Sequence, residues 1–171
     1  MTRIKDIYDY IDSIAPYDTQ EDWDNSGLLV GDFNQELKKC VMALDATKAV
    51  CSFAKAEGAQ LVLTHHPIIF SGIKSIHEGD AVYTLVNSGI SALCAHTNFD
   101  FSKDGINFNL AQILGLKNVK RIEDTLIVKG ELEKECNISD FAGFVKEKLN
   151  AVPTFLSAGV DAFGDAHTDG R

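Results

Sequence analysis

Two adjacent histidines, His65 and His66, follow the aliphatic run Leu61, Val62, Leu63 and precede Pro67 in the stretch LVLTHHPIIF. Imidazole nitrogens ligate Zn, Fe, Mn or Ni, so the pair marks a candidate metal site. Further along, SALCAHTNFD repeats the arrangement: a short apolar run breaks into polar residues and presents His96 and Asp100. Successive side chains of an extended chain point to opposite sides, so His65 and His66 are expected to serve two neighbouring ions, or one to ligate while the other packs. His77 lies in a stretch of turn composition and reads as an exposed loop residue. Asp24 and Asn25 could touch a substrate, but local turn bonding is the commoner use of such residues. Asp165, His167 and Asp169 alternate near the end of the chain and could bind metal, although a terminal segment of this composition is expected to be weakly ordered.

The elements that must carry these residues alternate strand and helix. Leu61–Leu63 has the character of a strand covered on both faces, and Pro67 should end it at or near the histidines. Ile4, Ile7, Tyr8, Ile11 and Ile14 recur at helical spacing, with Thr2 as the expected N-cap and Pro16 as the stop. A short strand is expected around residues 28–30 and another at 40–44. Helices are expected over 47–57, ending at Gly58, over 81–87, ending at Gly89, and over 105–114, ending at Gly115. The middle helix delivers the chain to the SALCAHTNFD stretch, read as a strand. Strand, helix, strand, helix is the signature of βαβ units, so the fold class is α/β, with a mainly parallel sheet flanked by helices. Sites in such sheets form outside the carboxyl ends of the strands, which is where both histidine stretches fall. Residues 119–132 read as two short strands with a turn at 123–125, and a helix capped by Asn137 or Ser139 should run to Leu149. The expected organisation is an α/β metal-binding domain over 1–118 and a partial second lobe over 119–171, with a poorly ordered C-terminal tail.

The 171 residues are 45% hydrophobic and 24% charged, as in ordinary globular proteins. A net charge of −9 argues against general nucleic-acid binding, which needs a basic face. It would also repel a nucleoside triphosphate unless bound cations offset it. The N-terminus lacks the apolar region of a secretory signal, and no apolar run approaches the length of a membrane span. The four cysteines form no CxxC pair, so reduced, mostly buried thiols and a cytoplasmic location are expected.

WDNSGLLVGD, LTHHPIIF, and AHTNFD followed by GINFNLAQILGL together resemble the GTP cyclohydrolase 1 type 2 homologue family, also called NIF-three-like or YbgI-like proteins. The resemblance covers roughly residues 4–116. It implies a dinuclear centre of divalent cations, two per subunit, and a toroidal homohexamer. It assigns His65 to one metal, His66 and Asp100 to the other, and places His96 as a further, catalytic residue lining the site. The implied activity is metal-dependent hydrolysis, with metal-activated water attacking a purine-type nucleotide or another small molecule. A non-catalytic metal-binding or interaction protein is the alternative. Neither nucleic-acid nor membrane partners are expected. The family's C-terminal HxxxE pair is absent from this sequence, so one weakly held cation at His66 and Asp100, a mostly empty second site and low activity are expected.

Overall fold

The protein is described here from a computed structural model, which places residues 1–151. Its secondary structure begins with α1 (Ile4–Ile14) and β1 (Gly27–Val30), followed by β2 (Cys40–Ala43), α2 (Lys48–Ala56) and β3 (Leu61–Thr64). Then come α3 (Ala81–Ser88), β4 (Ser91–Cys94), α4 (Thr97–Phe101) and α5 (Ile106–Ile113). The chain divides into two compact units, Met1–Asn107 and a second from Phe108 onward.

The first unit is built on a four-stranded sheet of order β1-β4-β3-β2. β2, β3 and β4 are parallel neighbours, with Thr64 opposite Ala43 on one side and Cys94 on the other. β1 runs antiparallel to β4, pairing Gly27 with Cys94. Because β1 runs the other way, its beginning lies beside the ends of the parallel strands. Three chain segments leave the sheet there, and a fourth enters it.

Alternation along the strands sorts the core into two layers. Leu61 and Leu93 pack with Ile4, Ile11, Tyr17 and Ala95 on the α1 side, while Val62 and Ala92 pack with Cys51, Ala54, Leu85 and Ile90 on the α2 and α3 side. Leu61 is fully buried. Leu61→Ala is therefore expected to cost about 2–5 kcal/mol, the range for a large aliphatic truncated in a packed core. Urea unfolding of the variant checks this; a loss below about 1 kcal/mol would mean that the layer is loosely packed.

The α1 cap differs from expectation. Arg3, not Thr2, occupies the N-cap position, and Asp6 Oδ2 accepts from the Arg3 backbone N–H at 2.7 Å. The reason is tertiary: Arg3 bridges Glu36 and Thr2 O accepts from Leu37 N, so both residues are drawn into extended pairing. The cysteines also depart from the reading. Cys51 and Cys94 are buried but Cys40 and Cys136 are exposed, Cys40 because it opens the edge strand β2. All four are free thiols.

Gly31 marks a close approach. Its φ is +106°, and a Cβ there would meet Ser91 Oγ at 1.9 Å. Gly31→Ala combines backbone strain with a clash against β4, so a loss of more than about 2 kcal/mol is expected. Thermal denaturation with an unchanged midpoint would show that β1 can move away from Ser91 freely.

The second unit holds β5 (Lys117–Arg121) paired antiparallel with β6 (Val128–Glu131), then α6 (Ile138–Leu149). Asp124, with φ +56°, lies in the expected turn. Asn137 caps α6, its side chain accepting from Asp140 N at 2.9 Å. Among the described residues no helix is long and apolar enough to cross a membrane.

Candidate metal centre

β3 ends at Thr64, and the chain bends at His65 and His66. The bend is held from several sides. His66 N donates to Leu44 O at 3.0 Å, Thr64 Oγ1 to His66 O at 2.8 Å, and Cys94 Sγ to His65 O at 3.0 Å. Strand alternation therefore does not govern the two histidines. Their ring centroids are 5.0 Å apart.

β4 is likewise shorter than the sequence suggested, since Thr97–Phe101 form the short helix α4 rather than continuing a strand. The side chains of Asn98 and Ser102 donate to the Ala15 and Ile14 carbonyls at 2.7 and 2.6 Å. These are among the orphan carbonyls at the end of α1, so capping that helix also fixes α4 and the residues it carries. His96, just before α4, comes within 5.1 Å of the His65 ring and 5.6 Å of the His66 ring, centroid to centroid. Each of the three histidines offers a ligand atom within 4.8 Å of the others.

Which nitrogens face the common point follows from what the others do. His65 Nδ1 donates to Ala95 O at 3.0 Å, His66 Nδ1 to Asp45 Oδ1 at 2.7 Å, and His96 Nδ1 to Asp24 Oδ1 at 2.8 Å. An acceptor on each Nδ1–H leaves Nε2 as the free lone pair, the arrangement found behind metal-ligating imidazoles. Asp100 Oδ2 lies 3.7 Å from His65 Nε2, beside the nitrogen that a cation would use. Burial pushes the Asp100 carboxyl above its ordinary range, against the pull of His65 and His96. Three imidazole nitrogens with a carboxylate alongside suit a divalent first-row metal.

Asp24, read from sequence as a turn residue, holds the site together. Its side chain is fully buried and accepts from His96 Nδ1, Thr97 N, Thr97 Oγ1, Ser26 Oγ and Asn25 N. Burial alone would raise its pKa, but these hydrogen bonds prevail and bring it to about 2. The carboxylate is thus ionised, and it orients His96 while tying the segment before β1 to the start of α4. Its position in WDNSG was visible, but the His96 partner was not. Asp45, at the end of the β2 segment, carries no local sign of a site role for the same reason, its partner His66 lying 21 positions away. Cys94 lies close by, but burial and then the Asp24 charge push its thiol up to about 12, so it remains a donor rather than a thiolate ligand.

Two clefts flank the histidines. One of about 400 Å³ is lined by Asp45, Thr47, His66, Ser75 and Asp80, among others. The other, of about 450 Å³, is mainly apolar and is lined by Ile11, Met42, Leu63, His65 and Phe99, among others. His77 lies exposed in the loop before α3 and outside the cluster. Asp165, His167, Asp169 and the tail that carries them lie outside the described residues.

The family model for Duf34/NIF3 (NGG1p interacting factor 3) matches residues 2–165. The chain belongs to this family. A GTP cyclohydrolase 1 type 2 homolog of Clostridium perfringens is 34% identical over 96% of this chain and 72% of its own length. Another relative of that name, from Staphylococcus aureus, is 36% identical over 86% of this chain, which spans only 41% of it. Among solved structures, reduced HcgD from Methanocaldococcus jannaschii superposes with a TM-score of 0.76 at 31% identity, covering 85% of this chain and 60% of that one. This NIF3-family chain therefore combines the family's α/β fold with a three-histidine cluster that could hold a metal ion.

Proposed function

We propose that this NIF3-family protein binds a divalent cation through His65, His66 and His96 and hydrolyses a cyclic amidine C–N bond in a purine-type substrate. The observation that carries the reading is the set of three Nδ1 hydrogen bonds, which leaves three Nε2 lone pairs for one cation beside Asp100. The names of the relatives point to the same chemistry.

A cation bound there would supply a water that ionises near neutral pH. Asp24 and Asp45 keep His96 and His66 in the tautomer that ligates, and Ala95 O does the same for His65. In hydrolysis the oxygen of water goes to the ring carbon and its protons go towards the leaving nitrogen. Asp100 Oδ2, 3.7 Å from His65 Nε2, is placed to accept one of these protons in transit. The cleft beside His66 offers room for a small substrate.

The test is incubation of the protein with GTP and Zn, Mn or Fe, with chromatography of products alongside elemental analysis. Metal-dependent appearance of a formamidopyrimidine or dihydroneopterin product is expected. Tightly bound metal without turnover would favour the binding-protein alternative instead. The family resemblance extends the proposal to a second cation beside Asp100 and to a homohexamer. Without the HxxxE pair that second position is expected to be mostly empty, so fewer than two cations per chain, and a scattering mass well above 18.7 kDa, are the expected readings.

A further inference from the structure

Trp23 and Phe70 are large aromatic side chains left 57% and 54% exposed at the rim of the histidine cluster. Their ring centroids lie 6.0 Å apart, and each is close to His96, at 6.2 Å for Trp23 and 6.5 Å for Phe70. The segments that carry them are pinned. Asn25 Nδ2 donates to Ile69 O at 2.6 Å, joining the two segments directly. Glu21 N donates to Thr97 Oγ1 at 3.0 Å, and the buried Asp24 carboxylate anchors the residue next to Trp23. The backbone behind both rings is thereby fixed, although their faces stay open to solvent.

The planes meet at 53°, so the rings form an open corner rather than a parallel sandwich. A flat ligand can stack on one ring and meet the other by its edge, both favoured aromatic geometries. Such a ligand would lie against His96, with its ring atoms next to the ligand nitrogens. Asp24, Asp45 and Asp100 surround the histidines, so the inserted group should be neutral or cationic, with any phosphate directed outward. We infer that Trp23 and Phe70 form a stacking subsite that selects a planar fused nitrogen heterocycle and holds it against the metal centre. This deepens the proposed hydrolytic function and rests on it.

Trp23 is the single tryptophan of the chain, so its fluorescence reports on this corner alone. The experiment titrates the zinc-supplemented protein with guanosine, using ribose 5-phosphate as the non-aromatic control and correcting for ligand absorbance. Zinc content is measured on the same samples. Saturable quenching by guanosine is expected, absent with ribose 5-phosphate. Phe70→Ala should weaken guanosine about tenfold, in keeping with the loss of one base–aromatic contact, without changing zinc content. Zinc bound without quenching would overturn the subsite while leaving the metal reading intact. Quenching without zinc binding would sustain the subsite and overturn the metal reading. Equal quenching by ribose 5-phosphate, an unaltered response in Phe70→Ala, or a Trp23 signal that follows protein concentration alone would also overturn the subsite. The last of these would assign the corner to contact between copies.

Discussion

His66→Ala should lower zinc affinity by more than about 100-fold, because removing even an outer partner of a ligand costs roughly 10–100-fold. Competition against a chromophoric chelator measures it. His66 is the most informative of the three to replace. Its side chain is 44% exposed and its Asp45 partner 52%, so the variant leaves no buried group unsatisfied. Circular dichroism and the unfolding midpoint should be those of the parent. The other two histidines are only 16% exposed, and their loss would mix ligand removal with repacking. If zinc affinity were unchanged in His66→Ala, the three-histidine cluster would not be the metal site, and the convergence of Nε2 atoms would have to serve another purpose.

The second large effect is expected at Asp24, where two substitutions separate structure from chemistry. Asp24→Ala removes the acceptor for Thr97, Ser26 and His96 at once and leaves their donors buried without a partner. A loss of about 3 kcal/mol is expected, within the range for breaking a buried charge network. Asp24→Asn keeps the shape but offers one acceptor oxygen, and its amide would confront other donors. His96 then loses the carboxylate that fixes its tautomer, so zinc affinity should fall roughly 10–100-fold with a smaller loss of stability. Denaturant unfolding of the metal-free proteins and zinc competition of both variants give the two readings. Should Asp24→Asn bind zinc like the parent, Asp24 would be a structural clasp alone, and His96 would need no help in facing the metal.

Much of this molecule was legible in its linear order because the signals are local. The aliphatic run before His65 and the one before His96 read as buried strands, and they are β3 and β4, side by side and parallel. The glycines at 58, 89 and 115 stop helices where positive φ is needed, and all three adopt it. Asn137 caps α6 through its own side chain, a bond made within four residues. The three motifs led to the family, which the match over residues 2–165 bears out.

What failed was whatever depends on groups remote in sequence. Thr2 lost its expected role because Glu36 and Leu37 draw the N-terminus into pairing. The HH pair was read by strand alternation as serving two neighbouring ions, or as one ring that ligates while the other packs. The strand stops one residue too early for the rule to apply, and contacts from Leu44 and Cys94 hold a bend in which both rings lie near His96. Asp24 looked like an ordinary turn residue because its partner His96 is 72 positions away. The sequence by itself determined the candidate ligand types, the strands that deliver them and the family. Tertiary structure alone decided which nitrogen of each histidine is free, which carboxylates orient them and which aromatic rings stand beside them. A side chain's chemistry is carried in its own atoms, whereas its direction is set by hydrogen bonds to chain segments that only the folded sheet brings near.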